Sequence, residues 1–113
     1  MEIIKFLQTN KFTDALPTLI WEYKLVDNSM NAAVAEIKGR YPSEGFVLNE
    51  ISKELVYVIK GSGLVYVDGK RAVLEIGDFL IIEPNEKYFY EGDISLLLIN
   101  IPKWTQEQHK FVN

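Results

Sequence analysis

Cysteine is absent from the chain, which excludes a disulfide framework and any thiolate metal site. Long apolar runs are absent too. Runs such as Leu96–Ile99 fall far short of the roughly 20 residues a membrane-spanning helix needs. There is no basic block: 12 Lys and Arg stand against 16 Asp and Glu, a net charge of −4. That balance leaves no nucleic-acid footprint and mainly favours solubility. Histidine occurs once, as His109, so a site built on several imidazoles is excluded. The opening MEIIKFLQTNKF has neither a long apolar stretch nor a small-residue cleavage site, so no signal peptide is expected. No internal repeat or low-complexity tract interrupts the chain. These absences predict a soluble, cytoplasmic protein with no membrane or nucleic-acid partner.

What is present is an ordinary globular composition, 48% hydrophobic and 25% charged over 113 residues. That length makes one domain, able to bury about 60–70% of the surface its unfolded chain exposes. Short β-rich runs follow one another from residue 31: Ala32–Ile37, Phe46–Ile51, Glu54–Lys60, Leu64–Val67, Lys70–Leu74, Phe79–Ile82, Lys87–Tyr90 and Ile94–Ile101. Turn residues separate them, among them Gly61-Ser62-Gly63, Asp68-Gly69 and Gly92-Asp93. Asp68-Gly69 is the clearest, since a type I′ hairpin turn needs positive φ at both central residues. Many short strands with close turns and no long helical period predict an all-β sandwich or barrel. Thr18–Leu25 reads as an earlier strand. Thr105 with Gln108 three residues on reads as the capping box of a short C-terminal helix, on which His109 is a cation near the C-terminal end and Trp104 an anchor to the barrel. The expected single domain, 1–113, thus has an N-terminal arm and first strand (1–30), a barrel core (31–101) and a terminal helix (102–113).

Glu54–Lys60 and Ile94–Ile101 are apolar on both faces, and a strand with two apolar faces must be covered on both. The N-terminal arm is one cover and a second copy of the chain is the other. A homodimer is the expected assembly.

The stretch KELVYVIKGSGLVYVDGKRAVLEIGDFLIIEPNEKYF, within Gly39 to Pro102, resembles the cupin family. In that family's first motif a His-x-His pair precedes a glutamate, with a glycine beyond it; Glu54 and Gly61 keep the last spacing. In the second, Gly77 keeps the first position, and counting forward puts Glu83 at a proline, Asn85 at a glycine and Tyr88 at a histidine. The histidine pair falls at Val47/Asn49 or at Leu48/Glu50, and neither frame contains histidine. The resemblance implies an antiparallel double-stranded β-helix, the jelly-roll barrel of RmlC-like proteins, and a pocket at its mouth. It normally also implies a metal held by three imidazoles and a carboxylate. With all three histidines replaced, no metal and no cofactor are expected here.

Asn49, Glu50, Glu54 and Tyr88 are then the polar candidates for a ligand pocket. Tyr57, Tyr66 or Trp104 would supply an aromatic wall. A carboxyl desolvated there would have a raised pKa and serve as general acid or base. Each residue also has a plain structural reading. Glu54 is held by backbone donors, Lys53 or Lys87; Glu50 points to solvent; Asn49 ends a strand; Tyr88 fills the barrel; Tyr57 and Tyr66 are β-packing residues. Catalytic residues are not assigned. A metal-independent barrel that binds a small molecule, a carbohydrate or small acid, is the leading function. The alternatives are a metal-independent isomerase or epimerase using Glu54 or Tyr88, and a dimeric scaffold with a vestigial pocket.

Overall fold

The computed structural model describes residues 1–13 and 15–113. Among the described residues nine strands form one curled antiparallel sheet: β1 (Asn10–Phe12), β2 (Leu19–Tyr23), β3 (Asn31–Tyr41), β4 (Phe46–Asn49), β5 (Lys53–Val67), β6 (Lys70–Leu74), β7 (Phe79–Ile82), β8 (Tyr88–Ile101) and β9 (His109–Val112). Strand β8 is its spine. One edge of β8 pairs with β3, from Tyr41↔Tyr90 to Asn31↔Asn100, and the other pairs with β5, from Val67↔Tyr88 to Lys53↔Ile101. Strand β5 passes its far edge to β6 at one end and to β7 at the other. The all-β barrel expected from the sequence is the architecture found. Among the described residues no helix is long and apolar enough to cross a membrane.

Side chains alternate across each strand, so every second residue faces inward. Ile37, Val47, Val56, Val58, Val65, Ile82, Ile94 and Leu96 close the core, each at most 3% exposed.

Two features depart from the sequence reading. The glycines at 61–63 and 92 lie inside strands β5 and β8 and do not end them. Gly61 (φ 78°) and Gly92 (φ 142°) take backbone conformations that favour glycine, where β5 and β8 are closely paired. A Cβ on Gly61 would run into the carbonyl oxygen of Asp93, and one on Gly92 would lie 2.6 Å from the Gly63 Cα. Here glycine marks close backbone approach within a sheet. The expected C-terminal helix is likewise corrected. Gln106–Gln108 makes one 3-10 turn whose Thr105 side chain caps nothing, and His109–Val112 is strand β9, paired with β4 from Asn49↔His109 to Phe46↔Val112. Gln108 is buried and looks across the barrel instead of back along a helix. Its Oε1 accepts from the backbone N–H groups of Ile51 (3.0 Å) and Ser52 (2.7 Å), and its Nε2 donates to Ser52 Oγ at 2.9 Å. That clamp fixes the next residue, His109, at the barrel mouth.

Candidate functional site

The inward face of β3 carries Ala33 and Ala35 where larger residues would fill the barrel, and a cavity of about 60 Å³ remains. Ile20, Ala33, Ala35, Leu96 and Leu98 make its apolar wall; Glu54, Tyr88, Tyr90, Asn100 and Thr18 reach into it. Phe12, Glu22, Trp104 and His109 line both this chamber and an outer vestibule of about 710 Å³, and so form the neck between them. The vestibule is of the size that holds a small organic molecule.

Strand register assembles the polar side of the chamber. Glu54 on β5 lies opposite Asn100 on β8, and Asn100 lies opposite Asn31 on β3. Asn31 Nδ2 donates to Glu22 Oε2 on β2 at 3.4 Å, while its Oδ1 accepts from the Trp104 backbone at 3.1 Å. A polar row thus crosses four strands, Glu22–Asn31–Asn100–Glu54, with every member at most 8% exposed.

Glu54 is 4% exposed. Desolvation pushes its carboxyl up from an ordinary 4.5 to about 7, although hydrogen bonds from Asn100 and Tyr88 favour the charged form. Burial, reinforced by the charge of Glu54, raises Tyr90 well above the usual phenol range, so its hydroxyl stays protonated. Close to neutral pH, Glu54 is both proton donor and proton acceptor in a largely apolar chamber, the condition a general acid–base group requires.

Three buried polar atoms around the chamber have no hydrogen-bond partner among the described residues: Thr18 Oγ1, Tyr90 Oη and Asn100 Oδ1. Each such group costs folding about 1–3 kcal/mol. Three of them around one cavity, beside a desolvated carboxyl, call for an occupant, ordered water or ligand, that completes their hydrogen bonds.

At the neck the side chains set one another's protons. The Trp104 indole N–H can only donate, so the Asn49 atom it meets at 3.1 Å is oxygen. The same Oδ1 lies 2.8 Å from His109 Nδ1, which therefore carries a proton. In the neutral ring Nε2 then holds the lone pair, and the Tyr41 hydroxyl donates to it at 2.8 Å.

The candidate residues from the sequence separate into two groups. Asn49 (3% exposed), Glu54 (4%) and Tyr88 (3%) point inward. Of the two motif frames, Val47/Asn49 is the inward one. Glu50, Tyr57 and Tyr66 do not join them. Glu50 is exposed and meets Lys110 at 3.9 Å. Tyr57 lies outside because Val56 and Val58 take the inward parity of β5, and it is 44% exposed. Tyr66 stacks on Phe89 outside the chamber, ring centroids 5.2 Å apart, beside inward Val65. Neither lysine holds Glu54: Lys53 pairs with Glu83 at 3.7 Å, and Lys87 lies over Phe46. His109, read from sequence as a helix-end cation, belongs to the mouth of the barrel. Of the three aromatic residues considered for the pocket wall, Trp104 is the one that lines the chamber. Thr18, Glu22, Asn31, Tyr90 and Asn100 were not singled out at all. The available signal was parity: Asn100 shares a face with Leu96 and Leu98, and a polar residue on an apolar inward face needs a reason.

A histidine-cage metal does not fit this donor set. At the family's ligand positions Val47 offers no donor atom and the Asn49 oxygen already takes two N–H groups, which leaves a phenol and one carboxyl. Among the described residues no three His, Asp or Glu side chains gather to hold an ion.

A family model described as a cupin domain matches residues 41–102. No curated protein sequence matches the chain. Among solved structures, the nucleoside dehydratase Pac13 is similar over 100% of this chain and 92% of its own, with a TM-score of 0.89 and 18% identity. A variant of that Streptomyces protein, solved with uridine, superposes with a TM-score of 0.86 at 18% identity, over 96% of this chain and 88% of its own. An RmlC-like cupin from Shewanella frigidimarina has a TM-score of 0.74 and 22% identity over 95% of both chains. The inward-facing strands, the retained glutamate and the family match over more than half the sequence agree: this chain belongs to the cupin family.

Proposed function

We propose that the barrel binds a small organic molecule, a carbohydrate or small acid, and acts on it by metal-independent proton transfer with Glu54 as acid and base. The observation that carries this reading is Glu54 itself, a carboxyl buried in the chamber and pushed up to about 7. A carboxyl kept only for structure gains nothing from being half-ionised at neutral pH. Tyr41 and His109, which both line the chamber and are hydrogen-bonded at 2.8 Å, offer a second proton-bearing pair beside it. Plain binding without turnover is the second reading, favoured by the apolar wall that covers most of the chamber.

The Streptomyces neighbour solved with uridine makes a nucleoside a sensible first probe, although a likeness of 18% identity extends to the fold alone. A thermal-shift screen of sugars, nucleosides and small carboxylates tests the binding half. A ligand-dependent rise, with turnover that follows a midpoint near pH 7 and is lost in Glu54→Gln while binding persists, is the expected result. If no compound shifts the midpoint, the binding reading fails; turnover unchanged in Glu54→Gln rejects the role of Glu54 alone.

The assembly belongs to the same proposal. Tyr57, Ile59, Phe79 and Ile81 stand 43–58% exposed on the outer face of β5 and β7, with Tyr57 opposite Phe79 and Leu55 opposite Ile81. A second copy covering this face gives a homodimer. Sedimentation of the wild type as a dimer and of Phe79→Glu as a monomer is expected, and a monomeric wild type rejects the dimer. A cytoplasmic location suits a chain without cysteine.

A further inference from the structure

The orphaned atoms of the chamber describe the chemistry of whatever fills it. Asn100 hydrogen-bonds to the Glu54 carboxyl, so its Nδ2–H faces Glu54 and its Oδ1 is the atom left unpartnered. An amide oxygen can only accept, and its partner must donate. Tyr90 Oη is unpartnered and 2% exposed; a protonated phenol needs an acceptor. Thr18 Oγ1, 1% exposed and equally unpartnered, can do either. Whatever fills the chamber must therefore both donate and accept. A hydroxyl does both.

Charge narrows the choice further. Glu22 and Glu54 line the chamber, and among the described residues neither lysine nor arginine does. A carboxylate or phosphate entering it would meet carboxyl groups and an amide oxygen with no lysine or arginine to hold it. Both ring nitrogens of His109 are already engaged by Tyr41 and Asn49. An ammonium group would suit those acceptors but could not accept from Tyr90. The wall of Ile20, Ala33, Leu96 and Leu98 matches the C–H face of a carbon chain or ring. About 60 Å³ takes a few heavy atoms, so the rest of a larger ligand lies beyond the neck in the vestibule.

We infer that the inner chamber receives the neutral diol end of a polyhydroxylated ligand, read by Asn100, Tyr90 and Thr18, and rejects anions. The inference rests on the barrel being a small-molecule site and deepens that reading. It removes the small acid from the candidates and does not depend on Glu54 turning anything over.

Three probes decide it: 1,4-anhydroerythritol, a five-membered ring with a cis-diol; 3-hydroxytetrahydrofuran, which lacks one hydroxyl; and acetate with inorganic phosphate as anions. Each is titrated into the full chain while the Asn100 side-chain amide and the Tyr90 ring are followed by NMR. The diol is expected to give saturable shifts at both, and loss of one hydroxyl to weaken binding about tenfold, the worth of one hydrogen bond. The anions are expected to give none. Thr18→Val and Tyr90→Phe each weaken the diol by a similar factor. Both remove an unpartnered group and leave the barrel folded, which the unchanged backbone spectrum checks. Absence of saturable shifts from the diol, equal binding of the mono-alcohol, unchanged affinity in both variants, or binding of acetate or phosphate in the chamber each overturns the inference. Diol binding without catalysis leaves it standing while the catalytic part of the proposed function fails.

Discussion

Replacing Glu54 by Gln removes one titrating group and keeps a side chain of the same size opposite Asn100. The sign of the effect follows from linkage. The carboxyl is ordinary, near 4.5, in the unfolded chain and stands at about 7 in the folded one. Between those values the folded state binds more protons, so the contribution of Glu54 to stability falls as pH rises through the window. Below pH 4.5 both states are protonated and nothing is lost; above about 7 both are ionised and the full cost of the buried charge is present. At 1.36 kcal/mol per unit, that cost is about 3 kcal/mol. Urea unfolding of wild type and Glu54→Gln from pH 4.5 to 8.5 isolates it, because every other carboxyl titrates in both proteins. With a slope of about 1–3 kcal/mol/M, the gap between midpoints should change by roughly 1–3 M across the range in favour of the variant. A gap that stays constant with pH would refute the desolvation of Glu54 and with it the acid–base argument.

Other perturbations test other parts of the structure. Asn49→Ala leaves the Trp104 indole N–H and His109 Nδ1–H without their shared acceptor and should cost about 1–3 kcal/mol in chemical denaturation; an unchanged midpoint would mean the neck network is not formed in solution. Gly61→Ala places a methyl against the Asp93 carbonyl at positive φ, a loss of about 2–4 kcal/mol that scanning calorimetry should register as a melting point lower by about 10 °C or more. Metal analysis of purified protein should find well below one equivalent, since the residues at the family's ligand positions do not form a donor set; a full equivalent of iron, zinc or manganese would contradict that.

The barrel was readable because its evidence is local. Alternating side chains, the Asp68-Gly69 hairpin and the motif spacing from Glu54 to Gly61 all lie within short windows. The C-terminal segment misled for the opposite reason. Thr105 and Gln108 satisfy a local capping pattern, but Gln108 is claimed by Ile51 and Ser52 and His109 pairs with Asn49, contacts more than fifty residues apart in sequence. Tertiary pairing overrode the local preference, and the single histidine moved from an exposed helix end to the cavity mouth. The glycines at 61 and 92 were read as turns because turns are their commonest use; their role at a close backbone approach exists only once β5 and β8 are paired. Whether Asn49 or Glu50 faces inward turned on a one-residue shift of register, which reverses every face. The pairing of β4 with β8 and β9 decides it. The polar row from Glu22 to Glu54 needs four strands in register before any member looks unusual, so only Glu54, marked by its motif, stood out.

Direct titration of the Glu54 side-chain carboxyl, by carbon NMR with Glu54→Gln identifying the signal, bears most closely on the central claim. A midpoint of about 7 is the predicted result. A midpoint near the ordinary 4.5 would contradict it and leave the cavity a pocket with no acid or base of its own at Glu54.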